Sequence, residues 1–375
     1  MCPVYVTKPS LPPLDEYVEL LKDIWERQWL TNQGHYHEEL EKALAAYLCV
    51  PYISLFCNGM IALQVGLQAL RITGEVITTP FSFPATTHAL YWNHCTPVFC
   101  DVDPLTGNLD PSKVESLITP RTTAILPVHV YGTPCDVDTL ARIADTYGLK
   151  LFYDAAHTFG VKRRGVALSK YGDLAMLSFH ATKVFNTAEG GALITSDPKL
   201  KQRIDYLKNF GFADEVTVVA PGTNGKMNEL SAALGLVQLR HVDEAIAARR
   251  ELAIEYRGKL GGVQGLRLLP ELADVTGNYS YMPMFLSEQY PLTRDQLYEE
   301  LKANGYSGRR YFYPLITEFP TYRGLPSSTD LPVAMRISRE VLCLPIYEDL
   351  GAKDVQAICD IILAPKKARA TRSRP

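Results

Sequence analysis

The chain has 375 residues, 47% of them hydrophobic and 21% charged, with a formal net charge of −3. That length favours two folded units over one, and the near-neutral charge gives no reason to expect nucleic acid or a membrane surface as partner. The eight cysteines include no Cys-x-x-Cys pair and mostly stand in apolar stretches such as Val98-Phe-Cys-Asp, the pattern of reduced thiols in a cytoplasmic protein; the N-terminus lacks a signal-peptide core, and no stretch is long enough to span a bilayer.

Pro9 to Pro13 reads as an extended arm. From Leu14 to Trp29, the residues Leu14, Val18, Leu21 and Trp25 recur at helical spacing. Thr31-Asn-Gln-Gly34 is a turn, and His35 and His37 follow on a strand or loop. A metal site there would need further ligands nearby, which the sequence does not offer. Glu38–Leu48 is a second amphipathic helix. Ile53–Phe56 is a strand, Asn58-Gly59 breaks it, and Met60–Leu70 is a helix. A strand-to-helix turn of this kind aims free backbone N–H groups and a helix dipole at Asn58, Gly59 and Met60, which makes a phosphate site. An ordinary turn would carry the same residues.

Glu75–Pro80 is a β-branched strand leading into Phe81-Ser-Phe83. Val98–Val102 and Thr122–Val128 are strands, Pro111–Ile118 is a short helix, and Asp136 caps a helix that runs to Tyr147. An apolar strand then ends in Asp154, followed by a small-residue turn with His157 and a short hairpin around Val161–Gly165. Leu174–Phe179 and Gly191–Thr195 are strands flanking a polar loop. Helices follow at Pro198–Phe210, Glu229–Arg240 and His241–Leu260, then a strand at Tyr279–Leu286, a helix at Thr293–Asn304, a strand at Val341–Leu344 and a last helix. The alternation predicts an α/β fold with a mostly parallel sheet covered on both faces. The expected division is a large domain over 1–240, with its arm at 1–13, a smaller domain over 241–365, and a basic tail at 366–375 without fixed structure. A dinucleotide-binding fold would alternate in the same way. However, Phe56-Cys-Asn-Gly-Met60 lacks the Gly-x-Gly-x-x-Gly spacing, and Gly-x-x-x-x-Gly-Lys-Ser/Thr is absent.

The loop between Leu174–Phe179 and Gly191–Thr195 holds one lysine, Lys183, among Ser178, His180, Thr182 and Asn186. Most loop lysines are solvated charges. An amine placed between two buried strands is a poor buried group unless it has a partner or stops being an ammonium, as it does on forming an imine with an aldehyde. In α/β sheets ligands collect at the carboxyl ends of strands, and Asp154 is at such an end. An acid there and a lysine loop downstream are the pair that pyridoxal 5′-phosphate requires: the carboxylate keeps the ring nitrogen protonated, and the lysine holds the aldehyde.

The stretches Asp154-Ala-Ala-His157 and Ser178-Phe-His-Ala-Thr-Lys183 resemble those of the DegT/StrS family of nucleotide-sugar aminotransferases, and the likeness runs from Pro9 to about Ile362. It implies the type I aminotransferase fold, pyridoxal phosphate with its pyridoxamine form as amine carrier, and a homodimer with shared active sites. It implies catalytic roles for Lys183 and Asp154 and cofactor contacts from Asn58, Gly59, Met60, Phe83, His157, Ser178 and Asn228. The family usually has Ser or Thr where this chain has Met60, so only backbone contacts carry over there. Phe83 is chosen over Phe81 as the ring lying on the cofactor, although both would serve as core. Asn228 corresponds to a residue that reaches the partner's cofactor phosphate, and it would serve equally as an N-cap. Thr31, Asn32, His180, Arg309, Tyr311 and Tyr313 correspond to the substrate side. Turn chemistry accounts for the first two as well, and the Arg309-Arg310 pair would also suit a plain surface.

Trp29-Leu-Thr-Asn-Gln-Gly34, Gly74–Phe83 and Ile118–Gly132 are similar to those of members that aminate dTDP-4-keto-6-deoxyglucose, with glutamate as donor. Amination at C3, or of a UDP sugar, would use nearly the same residues. Members acting as sugar dehydratases carry His in place of the lysine, so Lys183 favours transamination. A non-catalytic sugar sensor on this fold would be expected to lack Lys183 or Asp154. A lyase would want a reactive cysteine, for which Cys135 is the candidate, with no cation beside it.

Overall fold

The computed structural model describes residues 3–365; the basic tail at 366–375 lies outside them. In chain order the elements are β1 (Val4–Tyr5), α1 (Leu14–Arg27), α2 (His35–Tyr47), β2 (Tyr52–Phe56), α3 (Gly59–Ala69), β3 (Glu75–Thr78), α4 (Ala85–Trp92), β4 (Thr96–Phe99), β5 (Thr122–Leu126), α5 (Val137–Tyr147), β6 (Lys150–Asp154), β7 (Lys162–Arg163), β8 (Val166–Ala167), β9 (Leu174–Ser178), β10 (Gly191–Thr195), α6 (Pro198–Leu207), α7 (Glu229–Leu260), β11 (Leu266–Leu268), β12 (Val275–Thr276), β13 (Met282–Leu286), α8 (Arg294–Ala303), β14 (Tyr306–Ser307), α9 (Pro332–Glu340), β15 (Val341–Leu344) and α10 (Ala352–Leu363).

Seven strands form one sheet in the order β2-β10-β9-β6-β5-β3-β4. β10 is antiparallel to β2 and β9; the remaining pairings are parallel. Helices cover both faces, which is why the strands read as near-continuous apolar runs. On one face Leu40 of α2, Leu140 of α5 and Val242 of α7 share a core. On the other, Leu63 of α3, Leu90 of α4 and Ile204 of α6 share a second. Phe56, Thr78, Asp154 and Ser178 are the last residues of β2, β3, β6 and β9, and the segments that follow them gather at one edge of the sheet. A three-stranded sheet, β11-β13-β15, packs with α8, α10 and the end of α7 around a core of its own. An aromatic seam that includes Phe81, Tyr131, Phe285 and Phe312 lies between the two.

Several expectations are corrected here. The boundary at 240/241 falls inside α7, a single helix of 32 residues. Its apolar positions continue through the boundary, with Leu239, Val242 and Ile246 in the large core and Leu252, Ala253 and Tyr256 in the small one. The arm at 1–13 is not held by the large domain alone. β1 pairs in parallel with β14 of the smaller unit, and Ile346 N–H donates to the Val6 carbonyl at 3.1 Å. His35 and His37 lie in the first turn of α2 and not on a strand or loop. The reason is distant in sequence: the Glu229 carboxylate of α7 accepts from the backbone N–H groups of Tyr36 (2.9 Å) and His37 (2.8 Å), capping α2. Pro111–Lys113 and Glu115–Leu117 are two short 3₁₀ turns in place of one helix. α4, which no periodicity announced, starts at Ala85.

Candidate active site

The last residue of β6 and the loop after β9 bring Asp154 and Lys183 into one cleft, where each feels the other's charge. Asp154 is 4% exposed. Thr86 Oγ1 donates to its Oδ2 at 2.7 Å, and the N–H of Ala156 donates to its Oδ1 at 3.1 Å. Burial pushes this carboxyl up, while Thr86, Ala156 and Lys183 oppose the shift. Lys183 is half-buried as a residue. Burial of its amine brings the pKa down to about 8, against the pull of Asp154 and Tyr311. Nζ donates to the hydroxyl of Tyr281 at 3.1 Å. The N–H of Tyr131, at φ 58°, donates to Nδ1 of His157 at 3.1 Å. That bond leaves the proton of the neutral imidazole on Nε2, and burial keeps the ring well below its usual pKa.

A second feature sits at the ends of β2 and β9. Asn58 caps α3 by accepting from Ile61 N–H at 2.9 Å, and the first N–H groups of a helix have no intrahelical acceptor. Gly59 and Met60 therefore open α3 beside Ser178: a Cβ on Gly59 would lie 3.4 Å from Ser178 Oγ. Gly191 pairs with both Phe56 and Ser178. A Cβ there would come within 2.8 Å of the backbone of Asn58 and Gly59, so glycine is what allows the turn to sit against β10.

The model of the DegT/DnrJ/EryC1/StrS aminotransferase family matches residues 14–363. The chain belongs to this family. It is 51% identical over 362 residues to the dTDP-4-amino-4,6-dideoxy-D-glucose transaminase of Escherichia coli, covering 96% of this chain and 97% of the relative. Among solved family members, DesI in the presence of its TDP-sugar product superposes with a TM-score of 0.92 at 38% identity, over 96% of this chain and 92% of DesI. DesV of S. venezuelae, in complex with a ketimine intermediate, does so with a TM-score of 0.87 at 31% identity, over 92% and 93% of the two chains. The α/β architecture with its mostly parallel sheet is the aminotransferase fold of these relatives.

The other residues singled out in the sequence fall in four places. Phe83 is 59% exposed just before α4, whereas Phe81 is fully buried in the aromatic seam. Asn228 is exposed and caps α7, accepting from Ser231 N–H at 2.8 Å. Thr31 and Asn32 are exposed close to it, since Glu229 N–H donates to the carbonyl of Leu30 at 2.9 Å. Asn228, Thr31 and Asn32 thus form a patch of their own. His180 is an exposed residue of the lysine loop, with Nδ1 2.8 Å from Thr182 Oγ1. Of the Gly308–Leu315 segment, Tyr311 reaches the Lys183 amine electrostatically. Arg309 is exposed and joined through its backbone to Cys343, and the exposed ring of Tyr313 carries the Arg294 guanidinium 4.5 Å from its centre. Arg310 is taken up by Asp295 at 2.8 Å. Cys135 is buried and its thiol is pushed well up by burial, which removes the candidate for a lyase nucleophile. Among the described residues no group of three or more His, Cys, Asp or Glu could hold a metal ion, and no helix is long and apolar enough to cross a membrane.

Three site residues were missed. Thr86 lies in a run, Ala85-Thr-Thr-His88, without helical periodicity. Tyr131 lies between the Thr122–Val128 strand and the Asp136 cap, outside any predicted element, and Tyr281 sits in a segment read as a strand.

Proposed function

We propose that the chain transfers an amino group from glutamate to dTDP-4-keto-6-deoxyglucose, giving dTDP-4-amino-4,6-dideoxyglucose, with pyridoxal phosphate as cofactor. The observation that carries this is the pairing, in one cleft, of an amine held near pKa 8 with a buried carboxylate. The substrate is argued from the 51% identity to a transaminase of that name. It acts in the cytoplasm, where nucleotide sugars are made.

The residues present fit the cofactor. The Asn58–Met60 turn, with Ser178 beside it, is a cradle that a side chain at Gly191 would invade, and it suits a phosphate. When bound, pyridoxal phosphate supplies an aldehyde for the lysine and a protonated ring that absorbs negative charge from the carbon losing its proton. Asp154, whose two oxygens each accept a hydrogen bond that favours the carboxylate, would be the group to hold the ring nitrogen's proton. His157, with its proton on Nε2, would donate to the cofactor's phenolic oxygen, and the exposed ring of Phe83 would cover the cofactor. Lys183 Nζ, a free base for part of the population near neutral pH, would be the group that takes the proton from the substrate carbon and gives it back on the far side of the nitrogen being transferred. Two copies share sites, with the Asn228, Thr31 and Asn32 patch facing the partner; Trp25, Trp29 and Leu30 are more than half exposed around it, as an uncovered interface would leave them.

The test is an absorbance spectrum of the protein loaded with pyridoxal phosphate, followed by the two substrates. A visible-edge band that moves to the ultraviolet with glutamate, and a 4-amino sugar product by mass and NMR after the keto sugar is added, are expected. A product aminated at C3, or a preference for a UDP sugar, would overturn the substrate; no band at all would overturn the cofactor. Gly191→Ala should raise the Kd for pyridoxal phosphate about tenfold or more, because the Gly59 backbone must move to admit the methyl group. Titration of cofactor-free protein measures it.

A further inference from the structure

Of the side chains no sequence pattern marked, Tyr281 has the most direct hold on the reacting amine, accepting from Lys183 Nζ at 3.1 Å. Its segment is pinned to the turn after Asp154. Asn278, 2% exposed, donates to the carbonyls of His157 and Phe159, both at 2.9 Å, and accepts from Ser280 N–H at 3.1 Å. The Tyr281 ring also packs against His157 (centroids 4.7 Å apart), Tyr131 (5.7 Å) and Tyr311 (5.9 Å). Val6 and Thr7 of the N-terminal arm line a small space that Tyr281 and Tyr311 also border. A ring that only filled space would not need its backbone anchored from a second element as well.

Resting on Lys183 as the reacting amine, we propose that Tyr281 is a positioning residue for amino transfer: its hydroxyl accepts from the ammonium and, once that proton has gone, donates to the free amine, so that Nζ keeps one direction in both states. A hydroxyl can do both. A carboxylate in its place would hold the ammonium and oppose loss of its proton. The groups facing this pair are Asp154 on β6, Tyr311 after β14, the neutral His157, and behind the phenol Arg249 on α7 and Cys343 on β15. Burial, with Cys343 and Asp154, raises the phenol, and Arg249 pulls it down. The net result keeps the hydroxyl proton in place and available.

Tyr281→Phe keeps the ring and the packing and removes only the hydroxyl. In cofactor-free protein labelled with [13C]lysine, the Lys183 resonance, identified by its loss in Lys183→Met, is expected to titrate up to about one pH unit lower than in the parent, because the bond lost from the ammonium is charge-assisted and stronger than the one lost from the neutral amine. In the loaded enzyme kcat should fall about ten- to a hundredfold with the KM for the sugar nucleotide little changed. An unmoved midpoint overturns the proposal whatever happens to the rate. Failure of the parent protein to take up pyridoxal phosphate would count against the proposed function, and the titration would still decide whether Tyr281 holds the amine.

Discussion

Lys183→Ala is expected to lower the rate of amino transfer by about four orders of magnitude or more, since in the proposed mechanism Lys183 is both the group that holds the aldehyde and the base that moves the proton. The groups that act on Nζ are the phenols of Tyr281 and Tyr311 and the charge of Asp154, and none of them can form an imine. The check is product formation from the keto sugar, together with borohydride reduction of the loaded protein. The parent should gain the cofactor's mass on the peptide carrying Lys183, and the variant should gain none. Full activity in Lys183→Ala would end the whole scheme.

The same amine has a second consequence, for stability. Its pKa is 10.5 in a model compound and about 8 in the fold, so the folded state binds the proton more weakly than the unfolded chain. Below about pH 8 both states hold the proton, and the cost of burying an ammonium is fully present. Between about 8 and 10.5 only the unfolded chain holds it, so stability rises with pH, and above 10.5 the cost is gone. Lys183→Met, which keeps the length of the side chain, should therefore melt a few degrees higher than the parent at pH 7 as cofactor-free protein, with the difference shrinking toward pH 10.5. A difference independent of pH would mean that packing, and not charge burial, separates the two.

Asp154→Asn is the second large effect, a fall of about 10²–10³-fold in kcat. Asn keeps the shape but cannot hold a positive charge on a ring nitrogen, so the ring no longer draws charge from the reacting carbon. The hydrogen bonds from Thr86 and Ala156 favour the carboxylate over the acid and oppose the effect of its burial. Thr86→Val removes one of them, leaves Asp154 in place, and should cost about tenfold. If Thr86→Val proved as damaging as Asp154→Asn, Thr86 would be doing more than holding the carboxylate. The kinetics of both variants, with the cofactor's absorbance band recorded alongside, separate these outcomes.

Much of this was present in local signals. The alternation of β-branched runs with helical spacing forces a covered parallel sheet, and a strand that ends in Asp154 puts that acid at the edge where ligands bind. Lys183 stands out because its loop is bracketed by two buried strands, and Asn58-Gly59 because a strand stops there and a helix starts. Each of these reads within about a dozen residues. The pieces that escaped are held from far away in the chain. Glu229 caps α2 from 193 positions off, Thr86 meets Asp154 across 68, and Tyr281 meets Lys183 across 98. A cap supplied by a distant carboxylate leaves no Ser or Asp at the helix start to be noticed, and a tyrosine that steadies an amine is indistinguishable in sequence from one that fills a core. The unbroken course of α7 escaped for a related reason. Its charged surface suggested a change of unit, but its inner face stays apolar from one core into the next, and helices are kept whole by what they bury. Composition and spacing determined which residues could carry the chemistry. Packing decided which of them meet, because the partners of a buried charge are chosen in three dimensions and not along the chain.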